Sequence, residues 1–125
     1  MTTFDYIILA LKIIVGASIL NVWLIQPKKS TKWRGGNADT IIEEFKTYGL
    51  TKNMCYVIGF LKVSLAILLL LSVKFPEFTL FASLGLAALL LGSIAMHLKI
   101  KDPLYKSFPA ALFLVLNLII AYTAY

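Results

Sequence analysis

This 125-residue chain has a single cysteine, Cys55, and a single histidine, His97. One cysteine permits neither an intrachain disulfide nor a Cys-x-x-Cys redox pair, which excludes the thiol-relay enzymes found among small four-helix membrane proteins. One histidine cannot give bis-histidine haem ligation within the chain, and Met96 beside it in sequence projects from a different helix face, so neither haem nor metal is expected as a cofactor. Charge is scarce too, at 14% of residues, with six acidic side chains against twelve basic ones. In a soluble protein a net +6 would point to nucleic acid. Nothing here resembles a stacking platform or a recognition helix, and the basic residues sit in short connections between apolar runs, where they set orientation instead. The N-terminus lacks the basic n-region of a secretory signal, and the apolar run over residues 4–25 is longer than a signal h-region, so it reads as a retained first helix.

Apolar sequence is abundant: 60% of residues are hydrophobic and the mean hydropathy is +0.87, beyond what a soluble domain of this size carries on its surface. The pattern predicts one all-α integral membrane domain over residues 1–125, a four-helix bundle with helices over 4–25, 54–73, 77–98 and 107–125. Residues 54–73 read MCYVIGFLKVSLAILLLLSV. Twenty such residues are about enough to span a hydrocarbon core of about 30 Å. Their only charge, Lys62, lies about 12 Å along the helix. An ionisable group at that depth is costly unless solvated or paired, which marks it as a candidate functional site.

The first helix carries Asp5 and Lys12 on one face, two turns apart. Lys12 is expected to snorkel back toward the near membrane surface, and Asn21 near the other end to hydrogen-bond across the bundle. The connection over residues 26–53 is the only long polar segment. Lys28, Lys29, Lys32 and Arg34 surround Trp33, a composition suited to anionic headgroups at the membrane surface. Within it, Ile41, Ile42, Phe45 and Tyr48 follow at helical spacing, with Asn37 or Asp39 as N-cap and Gly49 as stop. This predicts a short amphipathic helix over 39–48, lying on the membrane or packed as a lid on the bundle.

The turn Lys74-Phe-Pro-Glu makes the second and third helices antiparallel neighbours. In the third, Ser83 with Ala87 and Ala88 with Gly92 are small-xxx-small pairs that favour close backbone approach. Pro103 interrupts the basic connection after His97, and Pro109 suits the first turn of the last helix, whose one strongly polar interior residue is Asn117. Tyr122 and Tyr125 fit the far interface. The first connection holds six Lys and Arg, the third holds three, the second only Lys74, and the terminal tails none. This places the first and third connections in the cytoplasm and both termini outside.

With that topology Lys62 leans toward the cytoplasmic end, where His97 closes the antiparallel neighbour and Asp102 follows in the connection, so the three are expected to converge on one cavity. The segments Gly59-Phe-Leu-Lys62 and Ala95-Met-His97-Leu-Lys-Ile-Lys-Asp102, with Tyr48-Gly49-Leu50, resemble the DoxX-like family of small bacterial four-helix membrane proteins. The resemblance extends more loosely over most of the chain from Phe45. It implies a four-helix fold in the bacterial cytoplasmic membrane, with Lys62, His97 and Asp102 matching the family's polar marks one for one. Some members of the family are associated with quinone-linked sulfur oxidation, and relatives include membrane assembly factors.

Three functions are compatible with these residues. One is an accessory or assembly protein, not itself an enzyme, that works with a membrane-protein partner or as a homo-oligomer in the lipid bilayer. Another is a redox accessory that binds a quinone or a small anion at Lys62, His97, Asp102, Asn117 and Asn21, where lysine supplies charge and histidine handles a proton. The third, cation export of the small multidrug-transporter type, needs a membrane-embedded glutamate in the first helix. This chain has Lys12 there, which repels a cationic drug.

Overall fold

The computed structural model describes residues 2–124, so Tyr125 lies outside the described residues. Five α-helices follow one another: α1 (Thr3–Leu20), α2 (Ile41–Thr47), α3 (Lys52–Leu71), α4 (Thr79–Lys99) and α5 (Phe108–Ala124). A π-helical turn, Asn21–Ile25, prolongs α1, and short 3-10 turns lead into α4 and α5. Four spans, Thr3–Ile25, Lys52–Leu71, Pro76–Lys99 and Leu104–Ala124, are long and apolar enough to cross a membrane. The chain is a multi-pass membrane protein.

The spans pack in a closed ring, each on the next: α1 on α3, α3 on α4, α4 on α5 and α5 on α1. The bundle thus has a basic end, bearing the first and third connections, and an N-terminal end, bearing Thr2 and the turn between α3 and α4. Val15, Ile19, Ala66, Leu69, Leu86 and Ile120 fill the centre. α1 approaches α3 through Gly16, where a Cβ would come within 2.7 Å of Leu70. The expected contact at Gly92 is absent: a Cβ there would meet nothing within 4 Å, because that face of α4 borders a cavity.

Lys12 overturns the snorkelling expectation. It leans toward the N-terminal end as anticipated, but into the bundle, where it is only 9% exposed. Its ammonium donates to the Ser72 carbonyl at 3.2 Å and the Thr79 hydroxyl at 3.0 Å. Ser72 is the C-cap of α3, so the cation satisfies the negative end of a helix dipole. Asp5 is not its partner; that carboxylate closes a capping box with Thr2.

The helix in the first connection begins later than an N-cap at Asn37 or Asp39 would place it, because Thr40 is the N-cap and its hydroxyl accepts from the Glu43 amide. It ends as expected at Gly49, whose φ of +84° a residue with a side chain rarely adopts. Its apolar face, Ile41 and Phe45, packs on Cys55 of α3 and on Trp23. α2 is therefore a lid seated on the bundle.

Candidate functional site

Lys62 and Gly59 lie one turn apart on α3. A Cβ at Gly59 would stand 2.7 Å from the Trp23 ring, so glycine makes room for the indole beside the lysine. Trp23 belongs to the π turn, in which the Gln26 amide bonds the Asn21 carbonyl, and such turns reset the direction in which side chains project. The Lys62 ammonium lies 5.5 Å from the Trp23 ring centroid and donates to the Ser93 hydroxyl at 2.9 Å, with the residue 8% exposed. Lys62 therefore points into the bundle. Among the described residues no carboxylate lies within salt-bridge distance of it.

Two chambers meet at this lysine. One, of about 280 Å³, is walled by Ile41, Phe45, Ile58 and Met96 and is mainly apolar. Its neighbour, of about 430 Å³, reaches the basic connections and is lined by His97, Lys32 and Lys106. Trp23, Arg34, Glu44, Lys62 and Ser93 belong to both walls. The larger chamber thus has four cationic side chains, Lys32, Arg34, Lys62 and Lys106, against one carboxylate, Glu44.

Arg34 is the clearest departure from the membrane-surface grouping. Lys28, Lys29 and Lys32 are exposed and Trp33 is half-buried, packed near Tyr105 and Phe108. Arg34 turns inward and is 7% exposed. Its guanidinium donates to the Gln26 carbonyl at 2.9 Å and the Lys29 carbonyl at 3.1 Å, and one amino group stands 3.7 Å from Glu44. The planar fork of arginine satisfies several loop carbonyls at once, which organises a segment otherwise without regular structure.

His97 and Asp102 are in hydrogen-bond contact, His97 Nδ1 to Asp102 Oδ2, at 2.7 Å. Asp102 also accepts from the Gly36 amide, at 3.0 and 3.3 Å. Lys106 lies 3.9 Å from the same carboxylate and donates to the Gly36 carbonyl. Lys99 donates to the Tyr48 carbonyl at 2.9 Å. The third connection therefore holds the first by its backbone at Gly36, whose φ of +55° favours glycine. Of the three residues expected to converge, Lys62 and His97 share a chamber, while Asp102 stands behind His97 and lines neither chamber.

The far side of His97 meets α2. Its Nε2 lies 3.4 Å from the Tyr48 hydroxyl, which donates to Glu44 at 2.6 Å. Burial, reinforced by the Glu44 charge, pushes the Tyr48 phenol well above its usual pKa, so Tyr48 stays protonated and acts as a donor. Trp23, Glu44, Tyr48 and Ser93 were not marked as site residues by sequence. Glu44 and Tyr48, four residues apart on α2, carry the one available signal, a shared helix face.

Asn117 and Asn21 do not join the site. Asn117 is fully buried and its amide donates to the Phe113 carbonyl of its own helix at 2.8 Å, while its side-chain oxygen has no hydrogen-bond partner among the described residues. Asn21 begins the π turn and lines neither chamber.

No curated protein and no solved structure matches the chain. A family model does, over residues 33–120, a stretch that includes Lys62, His97 and Asp102; the chain belongs to the DoxX-like family.

Proposed function

We propose that this protein is an accessory of the bacterial cytoplasmic membrane that binds an amphiphile with an oxyanion head, the head at Lys62 and Arg34 and the tail in the apolar chamber. One observation carries the reading: a buried lysine, without a carboxylate in salt-bridge distance among the described residues, stands where an apolar chamber adjoins one whose wall carries Lys32, Arg34 and Lys106 beside Glu44. A charge kept in such a place calls for a counter-charge. An anion supplies it, whereas a neutral quinone head would leave Lys62 without a counter-charge. The excess of Lys and Arg in the first and third connections supports placing the basic end, and so the mouth of the larger chamber, in the cytoplasm.

The protein in lipid nanodiscs, titrated with octyl sulfate, inorganic sulfate and octanol while tryptophan emission is read, tests this. Octyl sulfate is expected to bind tighter than either fragment, since it alone satisfies both chambers. Binding of octanol as tight as octyl sulfate, or no saturable change with any of the three, would refute the reading. Cysteines introduced at Lys28 or Lys29 are expected to resist impermeant maleimides in intact cells; ready labelling would invert the topology.

A further inference from the structure

The Tyr48 hydroxyl has one proton and two neighbours that can take it, Glu44 Oε1 at 2.6 Å and His97 Nε2 at 3.4 Å. Behind His97 the chain of contacts continues to Asp102 at 2.7 Å, in the third connection. Glu44, Tyr48, His97 and Asp102 thus form one line of titratable groups from the ligand chamber to the basic connections. We propose that Glu44 is a proton acceptor coupled to anion binding, reloaded through Tyr48 and His97.

The coupling rests on the oxyanion reading and deepens it. Glu44 faces Arg34 from the first connection, Lys62 and Cys55 from α3, Tyr48 on its own helix with His97 of α4 beyond, and Lys106 across the chamber. Arg34 is its nearest cation. An anion settling on Lys62 and Arg34 competes for that cation and brings a second negative charge to the wall that Glu44 shares with them. Two neighbouring anions in such surroundings raise the proton affinity of the weaker acid, which is the carboxylate rather than a sulfate.

The proton balance closes without any other reactant. Before binding, the imidazole holds its proton on Nδ1 toward Asp102 and Tyr48 donates to Glu44. A proton from solvent reaches the free Nε2 lone pair from the chamber that His97 lines, Asp102 steadying the resulting imidazolium through Nδ1–H, and Nε2 hands that proton to the Tyr48 oxygen as Tyr48 gives its own proton to Glu44. Afterwards Glu44 is neutral and donates to Tyr48, whose hydroxyl now donates to His97 Nε2. The ring again carries one proton on Nδ1, and one proton has been taken from water. The 3.4 Å contact is the bond that forms when Tyr48 reverses.

Calorimetry of octyl sulfate binding in buffers of different ionisation heat tests this directly, because the charge of that ligand does not change with pH. Uptake of about one proton per anion is expected, so affinity falls about tenfold per unit rise in pH wherever that uptake is observed. Glu44→Gln, which fixes the neutral form, should bind tighter with no proton uptake. In wild type, binding should move the 15N signal of His97 Nε2, the chain having only one histidine, and Tyr48→Phe should abolish that movement. Binding without proton uptake in wild type, or uptake that persists in Glu44→Gln, would overturn the coupling and leave the oxyanion reading standing. Absence of binding in both proteins would overturn the oxyanion reading and the coupling with it.

Discussion

Replacing Asp102 with alanine is expected to release the first connection from the bundle. The carboxylate is nearly buried, its side chain 5% exposed, and it holds His97, the Gly36 amide and, more distantly, Lys106. Its removal leaves the His97 ring nitrogen and the Gly36 amide without this partner, while Lys106 keeps its bond to the Gly36 carbonyl. Leaving a buried donor unpaired in this way costs about 1–3 kcal/mol. The loss should be local, because α1, α3, α4 and α5 are held by their own apolar core and not by this latch. Amide exchange at 33–40, read by mass spectrometry, should therefore accelerate sharply while the membrane-spanning helices keep their protection. Asp102→Asn, whose amide oxygen still accepts from Gly36, should show a smaller effect. Unchanged exchange around Gly36 in Asp102→Ala would contradict the latch.

Lys62→Met is expected to keep the fold and lose the ligand. Methionine retains much of the volume and the apolar stem. It gives up one hydrogen bond to Ser93 and the position over Trp23, and it removes a charge that costs about 2.5–3.5 kcal/mol near the centre of a membrane helix. The two quantities are comparable, since a hydrogen bond from a charged donor contributes about 1.5–3 kcal/mol and a cation over an aromatic ring about 0.5–1. Thermal stability in detergent should thus change little. Affinity for octyl sulfate should fall roughly ten- to hundredfold, the loss of one charge-assisted contact to the head. A stability loss with unchanged affinity would reverse both assignments and make Lys62 a structural residue.

Much of the fold was legible because membrane helices announce themselves by length and apolarity, and short turns dictate which of them are neighbours. Lys62 stood out as the only charge in its span. What could not be read was direction. α1 is apolar on all sides, so no face marks the interior, and Lys12 looks the same in sequence whether it meets lipid or the end of α3. Arg34 is one of four cations in a short basic stretch, and only the loop carbonyls at Gln26 and Lys29 distinguish it from its exposed neighbours. Trp23 reaches Lys62 because a π turn shifts the register of the last residues of the span, which no 3.6-residue pattern foretells. Asn21, Asn117 and Lys62 are polar marks of similar appearance, yet only the last borders a chamber.

The central claim, that Lys62 holds the head of an oxyanionic amphiphile, is met most directly by native mass spectrometry of the gently extracted protein, with the released small molecules identified. Wild type should carry one acidic amphiphile per chain, and Lys62→Met, expressed to the same level, should carry none. A neutral quinone or a stoichiometric protein partner in place of the acid, or the same acidic molecule retained by Lys62→Met, would contradict the account.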